Sequence, residues 1–426
     1  MSITVKDIIS KIPSPYQKDL EYIVGKLNQN NHECYLIGGS VRDLIMGRIP
    51  KEFDLTTSAK PDQIKKIFPK VIETGIKHGT VTLLVNHNPY ELTTYRKDIG
   101  YTDGRRPDNV EYGATLYEDM KRRDFTMNAI ALGINQANLI DNHNGIEDIQ
   151  NKIIRTIGNP LERFGEDGLR PVRAIRFMST LSFSIENETY KAIRACRDVT
   201  IKISVERFQD ELNKIFLSNN PYIGLQELYT NDIYSLFIKN ISYQINESQS
   251  LEKINLLNKT PLSLKVAYLF SYLYKQIDNS NLELILATLR YSKQIIKDSL
   301  FFNELFYKKF NLESPYEVRK ILFFFLNHLK RDKLEEYVNG YASYLKIHHN
   351  SNLVVSFLDK VRFSLENKVP LTLADLAING KDVLAKFPKI NKKNIGIALQ
   401  NCLAYVLEFP EKNNKEDLFL ICEKIS

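Results

Sequence analysis

The sequence predicts an α+β protein, with a mixed α/β head over residues 1–158 followed by an all-α remainder. Three observations predict it. Up to residue 158, short apolar runs bounded by turn residues, such as Tyr35-Leu36-Ile37 and HGTVTLLVN, alternate with short amphipathic segments. From Pro160 onward apolar residues recur at i, i+3 and i+4 almost without interruption, as in ILFFFLNHLK. The 426 residues also exceed the roughly 250–300 at which a single core stops growing. The helix-breaking strings SNNP and HHNSN divide the helical part, so the expected units are 1–158, 159–220, 221–350 and 351–426.

Composition narrows the class. Hydrophobic residues make up 43% and charged residues 26%, a globular balance, and no apolar run reaches the roughly 18 residues of a membrane span. The first residues carry no signal-peptide pattern, so the expected location is cytoplasmic, with no membrane association. Cys34, Cys196, Cys402 and Cys422 lie far apart with no CxxC pair, which points to buried thiols rather than a zinc site or a disulfide framework. A net charge of +7 permits a polyanionic partner without demanding one, and nothing implies an obligate protein partner.

Taken in order, Ser14 can cap a helix whose apolar positions are Leu20, Ile23, Val24 and Leu27. Next comes YLIGGSVRDLIMGRIPKEFDLTTS, residues 35–58: a strand, a two-glycine turn whose N–H groups can face a phosphate, a short helix, and a second strand carrying Glu52 and Asp54. Residues two apart on a strand share a face, so both carboxylates are expected beside the phosphate turn, a pairing that suits Mg²⁺ and phosphoryl or nucleotidyl transfer. Each half has a plainer reading, as an ordinary tight turn and a solvated acidic strand face. KPDQIKKIF reads as a helix with Pro61 in its first turn, and HGTVTLLVN and PYELTTYR as two strands joined by a turn over residues 86–89. Residues 97–112, with glycines, a proline and no apolar period, read as a long exposed loop. RRDFTMNAIALG enters the core as helix or strand, and NKIIRTIG is the last candidate strand of the head.

Three further clusters carry chemistry. Glu91 on PYELTTYR can approach Glu52 and Asp54, or can be a charge on an exposed face. The run Arg122 to Asn128 combines cations, a carboxylate, a hydroxyl and an amide, enough to clamp a triphosphate and hydrogen-bond a ribose. In EDGLRPVRAIRF, Asp167 and Arg170 are three apart and would share a helix face, with Arg173 and Arg176 continuing the stripe. Such a pair can read a base edge, and equally can be a surface salt bridge.

Together GGSVRD, EFDLTT, RRDFTMNA, EDGLRPVRAIRF and ISVERFQDEL resemble, in order and spacing, the motifs of the class II tRNA nucleotidyltransferase and bacterial poly(A) polymerase family, and the tail PLTLADLAINGKDVL resembles that of bacterial CCA-adding enzymes. The resemblance implies a nucleotidyltransferase-type head, then a helical neck carrying a nucleotide template, a body and a tRNA-binding tail. It implies addition of CCA to tRNA from CTP and ATP with Mg²⁺. Glu52 and Asp54 fall at the catalytic, metal-binding positions, and Gly38, Gly39, Ser40 and Arg42 at the triphosphate turn. Asp124 and Asn128 match the ribose-recognising motif, Asp167 and Arg170 the template for base edges, and Arg173 a neighbouring arginine. Residues 103–110 resemble a loop associated with switching from C to A addition, and Lys386, Lys389, Lys392 and Lys393 are candidate tRNA phosphate contacts.

Two departures from the family pattern accompany this. Glu52 stands where the family has aspartate, and an added methylene displaces a ligand of a cation that demands near-octahedral geometry. Pro171 directly follows Arg170, with Gly168 inside the template, so either the template is reshaped or the helix begins there. The arginine-rich insertion typical of the poly(A) polymerases is not matched at TGIKHGTVTLLVNHNPYELTTYR, so CCA addition is expected over poly(A) synthesis. The alternatives are CC-only, A-only or poly(A) addition, or a tRNA-binding protein impaired in catalysis through Glu52.

Overall fold

The computed structural model describes residues 4–100, 109–238, 250–275, 277–329 and 331–425. The chain forms two compact units, Met1–Asn240 and Ile241–Ser426.

Unit one is built on a seven-stranded mixed sheet. Its strands are β1 (Cys34–Ile37), β2 (Asp54–Thr57), β3 (Val71–Gly75), β4 (Thr80–Val85), β5 (Asn88–Thr94), β8 (Ile130–Gly133) and β9 (Asn138–Asp141), in the order β3-β4-β5-β2-β1-β8-β9. Only β2 and β5 run parallel, which sets Asp54 level with Glu91. Asn86 and His87 both adopt positive φ (47° and 67°), the two-residue geometry that matches the twist of the β4–β5 hairpin. The helix Ser14–Gln29 buries Leu20, Ile23, Val24 and Leu27, one face at helical spacing.

Between β5 and β8, β6 (Arg96–Ile99) and β7 (Asn109–Tyr112) form an antiparallel ribbon. The expected loop over 97–112 is thus corrected at both ends. Apolar periodicity missed the ribbon because charge pairs tie it down: Asp98 to Arg96 at 3.0 Å and to Arg122 at 3.6 Å, and Lys97 to Glu118 at 2.6 Å. Of the switching-loop assignment, residues 103–108 lie outside the described residues.

The second strand is also shorter than expected. It begins at Asp54, and Glu52 lies in an exposed bend before it. The register Leu36↔Leu55 would next pair residues 37 and 38 with 54 and 53, but at Gly38 (φ +81°) the chain turns away into the helix Gly39–Ile45, removing the partner that would extend the strand.

After the sheet, β10 (Ile153–Ile154) pairs in parallel with β11 (Ser184–Ile185), a short strand inside the segment expected to be helical. The helices Pro160–Glu166 and Leu169–Leu181 lie between them, and Val205–Phe216 and Pro221–Thr230 pack on the second.

Unit two is helical. Leu262–Leu273 is buried nearly all round, as a central helix must be, with Lys293–Tyr307, Pro315–His328 and Leu334–His348 also in this unit. At its end Gly380–Lys386, Lys392–Glu408 and Lys415–Glu423 enclose a core of Val383, Ala398, Cys402, Val406, Leu418 and Cys422. All four cysteines are free and buried. Among the described residues no helix is long and apolar enough to cross a membrane.

Candidate nucleotide-binding active site

The sheet wall of the site starts from the end of β1. Gly38 turns the chain, and a Cβ there would lie 3.6 Å from Arg123 Nη1 and 3.9 Å from Asp54 Oδ2, so turn, guanidinium and carboxylate meet at one point. Burial, with the Glu91 and Glu52 carboxylates adding repulsion, pushes the Asp54 carboxyl up to about 6 against the pull of Arg123. Arg123 is aimed by Asp119, a fully buried carboxylate that accepts from Arg123 Nη2 at 3.1 Å and from Arg122 Nη2 at 2.7 Å. Thr56 Oγ1, two residues along β2 from Asp54, donates to the same carboxylate at 3.2 Å. Sequence reasoning does not single out Asp119: its i+3 and i+4 spacing to the arginines is a signal, but one that most surface helices share.

The wall facing the sheet is one polar chain. Arg42 Nη1 donates to Asn128 Oδ1 at 2.8 Å, Asn128 Nδ2 donates to Asp124 Oδ1 at 3.0 Å, and Arg173 Nε donates to Asp124 Oδ2 at 2.8 Å. Burial opposes ionisation of Asp124, yet Arg173 and the Asn128 amide hold its carboxyl far below the usual range. The Phe177 ring underlies Arg42, Arg173 and Arg176, whose guanidinium carbons lie 5.2, 5.5 and 3.7 Å from its centroid. Burial pulls Arg176 down to about 10 even though Glu211 pairs with it. The Ser40 hydroxyl is already engaged, donating to the Ile37 carbonyl at 3.0 Å.

Asp167 and Arg170 line the same cavity but do not pair. The expected shared helix face is corrected, because Asp167 is extended (φ −141°, ψ 109°) between two helices and the second begins only at Leu169. Pro171 then falls in the first turn, where its missing N–H costs nothing. The Asp167 carboxylate accepts from the Leu169 N–H at 3.0 Å and from Arg207 Nη2 at 3.0 Å. Arg170 is tied to Glu166 at 2.5 Å and to the Arg163 and Arg122 carbonyls at 2.7 and 3.0 Å. Arg207 belongs to the motif ISVERFQDEL, yet its bond to Asp167 spans 40 residues and no local spacing reveals it. Gly168 is required by close approach: a Cβ would stand 2.4 Å from the Val199 carbonyl oxygen.

These walls enclose a cavity of about 450 Å³ lined by Gly38, Gly39, Asp54, Asp124, Asn128, Asp167 and seven arginines, Arg42, Arg122, Arg123, Arg170, Arg173, Arg176 and Arg207. The lining carries seven guanidiniums and three carboxylates, and Asp43, Asp119, Glu166 and Glu211 behind it pair with Arg42, Arg122, Arg123, Arg170 and Arg176. The surface is thus rich in charged donors held in place, which suits an anionic ligand. Among the described residues no three His, Cys, Asp or Glu side chains converge closely enough to hold a metal by themselves. Of Asp54, Glu91 and Glu52 only Asp54 lines the cavity; it offers oxygens, as a hard cation takes, and the Glu91 and Glu52 charges that raise it are what a cation there would offset. Lys386, Lys389 and Lys393 are exposed in unit two, near the turn before Lys392–Glu408; the Lys392 side chain lies outside the described residues.

Residues 34–155 match the poly A polymerase head domain family, and residues 182–245 a family described as a probable RNA and SrmB-binding site of polymerase A. A CCA-adding enzyme of Ligilactobacillus salivarius is 44% identical over 227 residues, 53% of this chain and 56% of the relative. One of Lactobacillus gasseri is 47% identical over 207 residues, 49% and 52% of the two chains. The chain thus spans about half the length of the curated relatives it matches. The crystal structure of the Bacillus stearothermophilus CCA-adding enzyme in complex with CTP superposes with a TM-score of 0.78 at 27% identity, covering 97% of this chain and 98% of that one. A Thermotoga maritima CCA-adding enzyme complexed with tRNA shares the fold, with a TM-score of 0.70 at 19% identity.

Proposed function

Since the chain belongs to the class II nucleotidyltransferases, we propose that it adds C, C and A to the 3′ end of tRNA from CTP and ATP, as a cytoplasmic enzyme. The carrying observation is the arginine-lined cavity whose lining brings together the elevated Asp54 carboxyl, Asp167 and Arg170. In this reading Arg42, Arg123 and the Gly38–Gly39 backbone take the triphosphate. Asp124 and Asn128 hold the ribose, and the edges left on Asp167 and Arg170 meet the base, with Arg173 beside them. Asp54, helped by Glu52 and Glu91, would hold a divalent cation, Mg²⁺ by donor type; when bound it supplies charge neutralisation at the reacting phosphate. The tRNA 3′-oxygen forms a bond to the α-phosphorus as the bond to the β-phosphate oxygen breaks, and the arginines stabilise the charge gathering on pyrophosphate. Residues 159–220 would act as the template-bearing neck, 221–350 as body and 351–426 as tRNA-binding tail, with Lys386, Lys389, Lys392 and Lys393 on phosphates.

One observation favours a second reading: Glu52 stands off the strand and exposed, so the chain could bind tRNA with little catalysis. The test is incorporation from each nucleotide separately into tRNAs lacking CCA, lacking A, or complete, using the parent, Glu52→Asp and Asp54→Ala. Ordered addition of C, C, A that Asp54→Ala abolishes is expected. Long runs from ATP alone would assign a poly(A) polymerase, and tRNA binding without incorporation, unrestored by Glu52→Asp, would assign the binding protein.

A further inference from the structure

Unit two holds a cavity of its own, of about 510 Å³, comparable to the one above and large enough for a small ligand. The aromatic side chains of this unit mostly serve its core, and here some of them also line a cavity. Phe306, half-buried, stacks on Tyr344 at 4.0 Å and 19°, and Tyr344, itself buried, lies nearly parallel to the buried Tyr341 at 6.0 Å and 16°, so Phe306 is the most open of the three rings and the two tyrosines back it. Lys275, Lys308, Lys309, His348 and His349 also line the cavity, and no carboxylate does so among the described lining residues. Lys308 is engaged, pairing with Glu304 at 2.7 Å and lying over the Phe324 ring, which leaves Lys275 and Lys309 as the ammonium groups at the rim. The local field is positive: burial lowers the proton affinity of His348, and Lys253 and His349 lower it further.

We propose that this cavity is a second ligand site, for a nucleotide unit whose base stacks on Phe306, backed by Tyr344, and whose phosphate meets Lys275 and Lys309. The two features together select this class. An apolar ligand would leave the ammonium groups without purpose, and a bare phosphate would leave the Phe306 ring unused, whereas stacking on an aromatic ring tolerates any base. The unit can be a free nucleotide or one residue of an RNA strand, since both present the same ring and phosphate. The proposal uses no residue of the first cavity, so either can fail without the other.

Photolabelling of the full chain with 8-azido-AMP, with peptides mapped by mass spectrometry, tests it. Saturable label is expected on peptides bearing Phe306 or Tyr344, displaced by AMP and not by ribose 5-phosphate. The double variant Lys275→Glu/Lys309→Glu, at exposed positions and checked by thermal melting, should lose at least about tenfold of that label while label in unit one is unchanged. Displacement by excess tRNA assigns the site to RNA, and persistence assigns it to free nucleotide; both support a nucleotide site. Absence of saturable label there, label undiminished by the double variant, or displacement by ribose 5-phosphate as effective as by AMP overturns it.

Discussion

Asp54 and Asp124 line the same cavity, carry the same side chain, and sit in opposite electrostatic environments. Asp54, on the sheet wall, faces other carboxylates and has its carboxyl raised to about 6; Asp124, on the opposing wall, is tied to Arg173 and far below its usual range. The difference separates two jobs. Asp124 is paired with Arg173 within the wall, whereas at Asp54 the pull of Arg123 is outweighed by burial and the neighbouring carboxylates, so under the proposed function an external cation would be favoured there.

The sharpest way to break that comparison is Asp54→Ala. Incorporation should fall about 10³-fold or more, about 4 kcal/mol at 1.36 kcal/mol per tenfold, with tRNA affinity unchanged in a filter-binding assay. A retained rate would mean the sheet wall is not the reacting wall.

Next come stability effects of opposite sign. Asp124→Ala leaves Arg173 without its partner and should cost about 2 kcal/mol by urea unfolding, below the full value for a buried pair because 31% of the Arg173 side chain meets solvent. Asp54→Asn should instead stabilise the protein at pH 7 in the absence of divalent cations. Its raised carboxyl makes the native state bind more protons than the unfolded state between about pH 4 and about 6, so the parent loses stability as pH rises through that window and is level above it. Asp124 behaves the other way, its contribution being present above the ordinary carboxylate range and lost only as pH falls well below it. Added Mg²⁺ should raise the melting temperature of the parent but not of Asp54→Asn, and incorporation should fall as pH drops through about 6.

A smaller effect probes the template end. Arg207→Ala releases the Asp167 carboxylate and should raise KM for CTP about tenfold, the equivalent of about 1.4 kcal/mol, while kcat changes little. Smallest of all, charge reversal at Lys386, Lys389 or Lys393 should weaken tRNA binding a few-fold and lower the salt slope by about one for each phosphate no longer neutralised.

Legibility from sequence followed the range of the interactions. The strands around residues 35–58, the β4–β5 hairpin and the helical second half announced themselves through local periodicity and turn chemistry, which is how backbone structure is encoded. The gathering of Gly38, Arg42, Asp124, Asn128, Asp167, Arg170 and Arg173 into one cavity was readable only through ordered motifs, since the hydrogen bonds span 49 residues from Arg173 to Asp124 and 86 from Arg42 to Asn128. What escaped was set by partners distant in the chain. Arg207 on Asp167 and the strand start at Asp54 rather than Glu52 each depend on a neighbour that no window of ten residues contains. The Asp167–Arg170 pairing failed for a local reason: Gly168 and Pro171 delay the helix, so helical spacing holds only from Leu169 onward and does not reach back to Asp167.

The polar chain Arg42–Asn128–Asp124–Arg173 also has a mechanical consequence. It is a strut of charge-assisted bonds, three links long, pinned at one end in the helix after β1 and at the other in Leu169–Leu181, with the Phe125 and Phe177 rings meeting edge to face at 5.7 Å alongside it. To swing that second helix outward would tear a buried carboxylate from its guanidinium while parting two aromatic rings. The strut thus resists widening of the cavity, and under the proposed function discrimination between a larger and a smaller base would fall to side chains turning within it rather than to its walls parting.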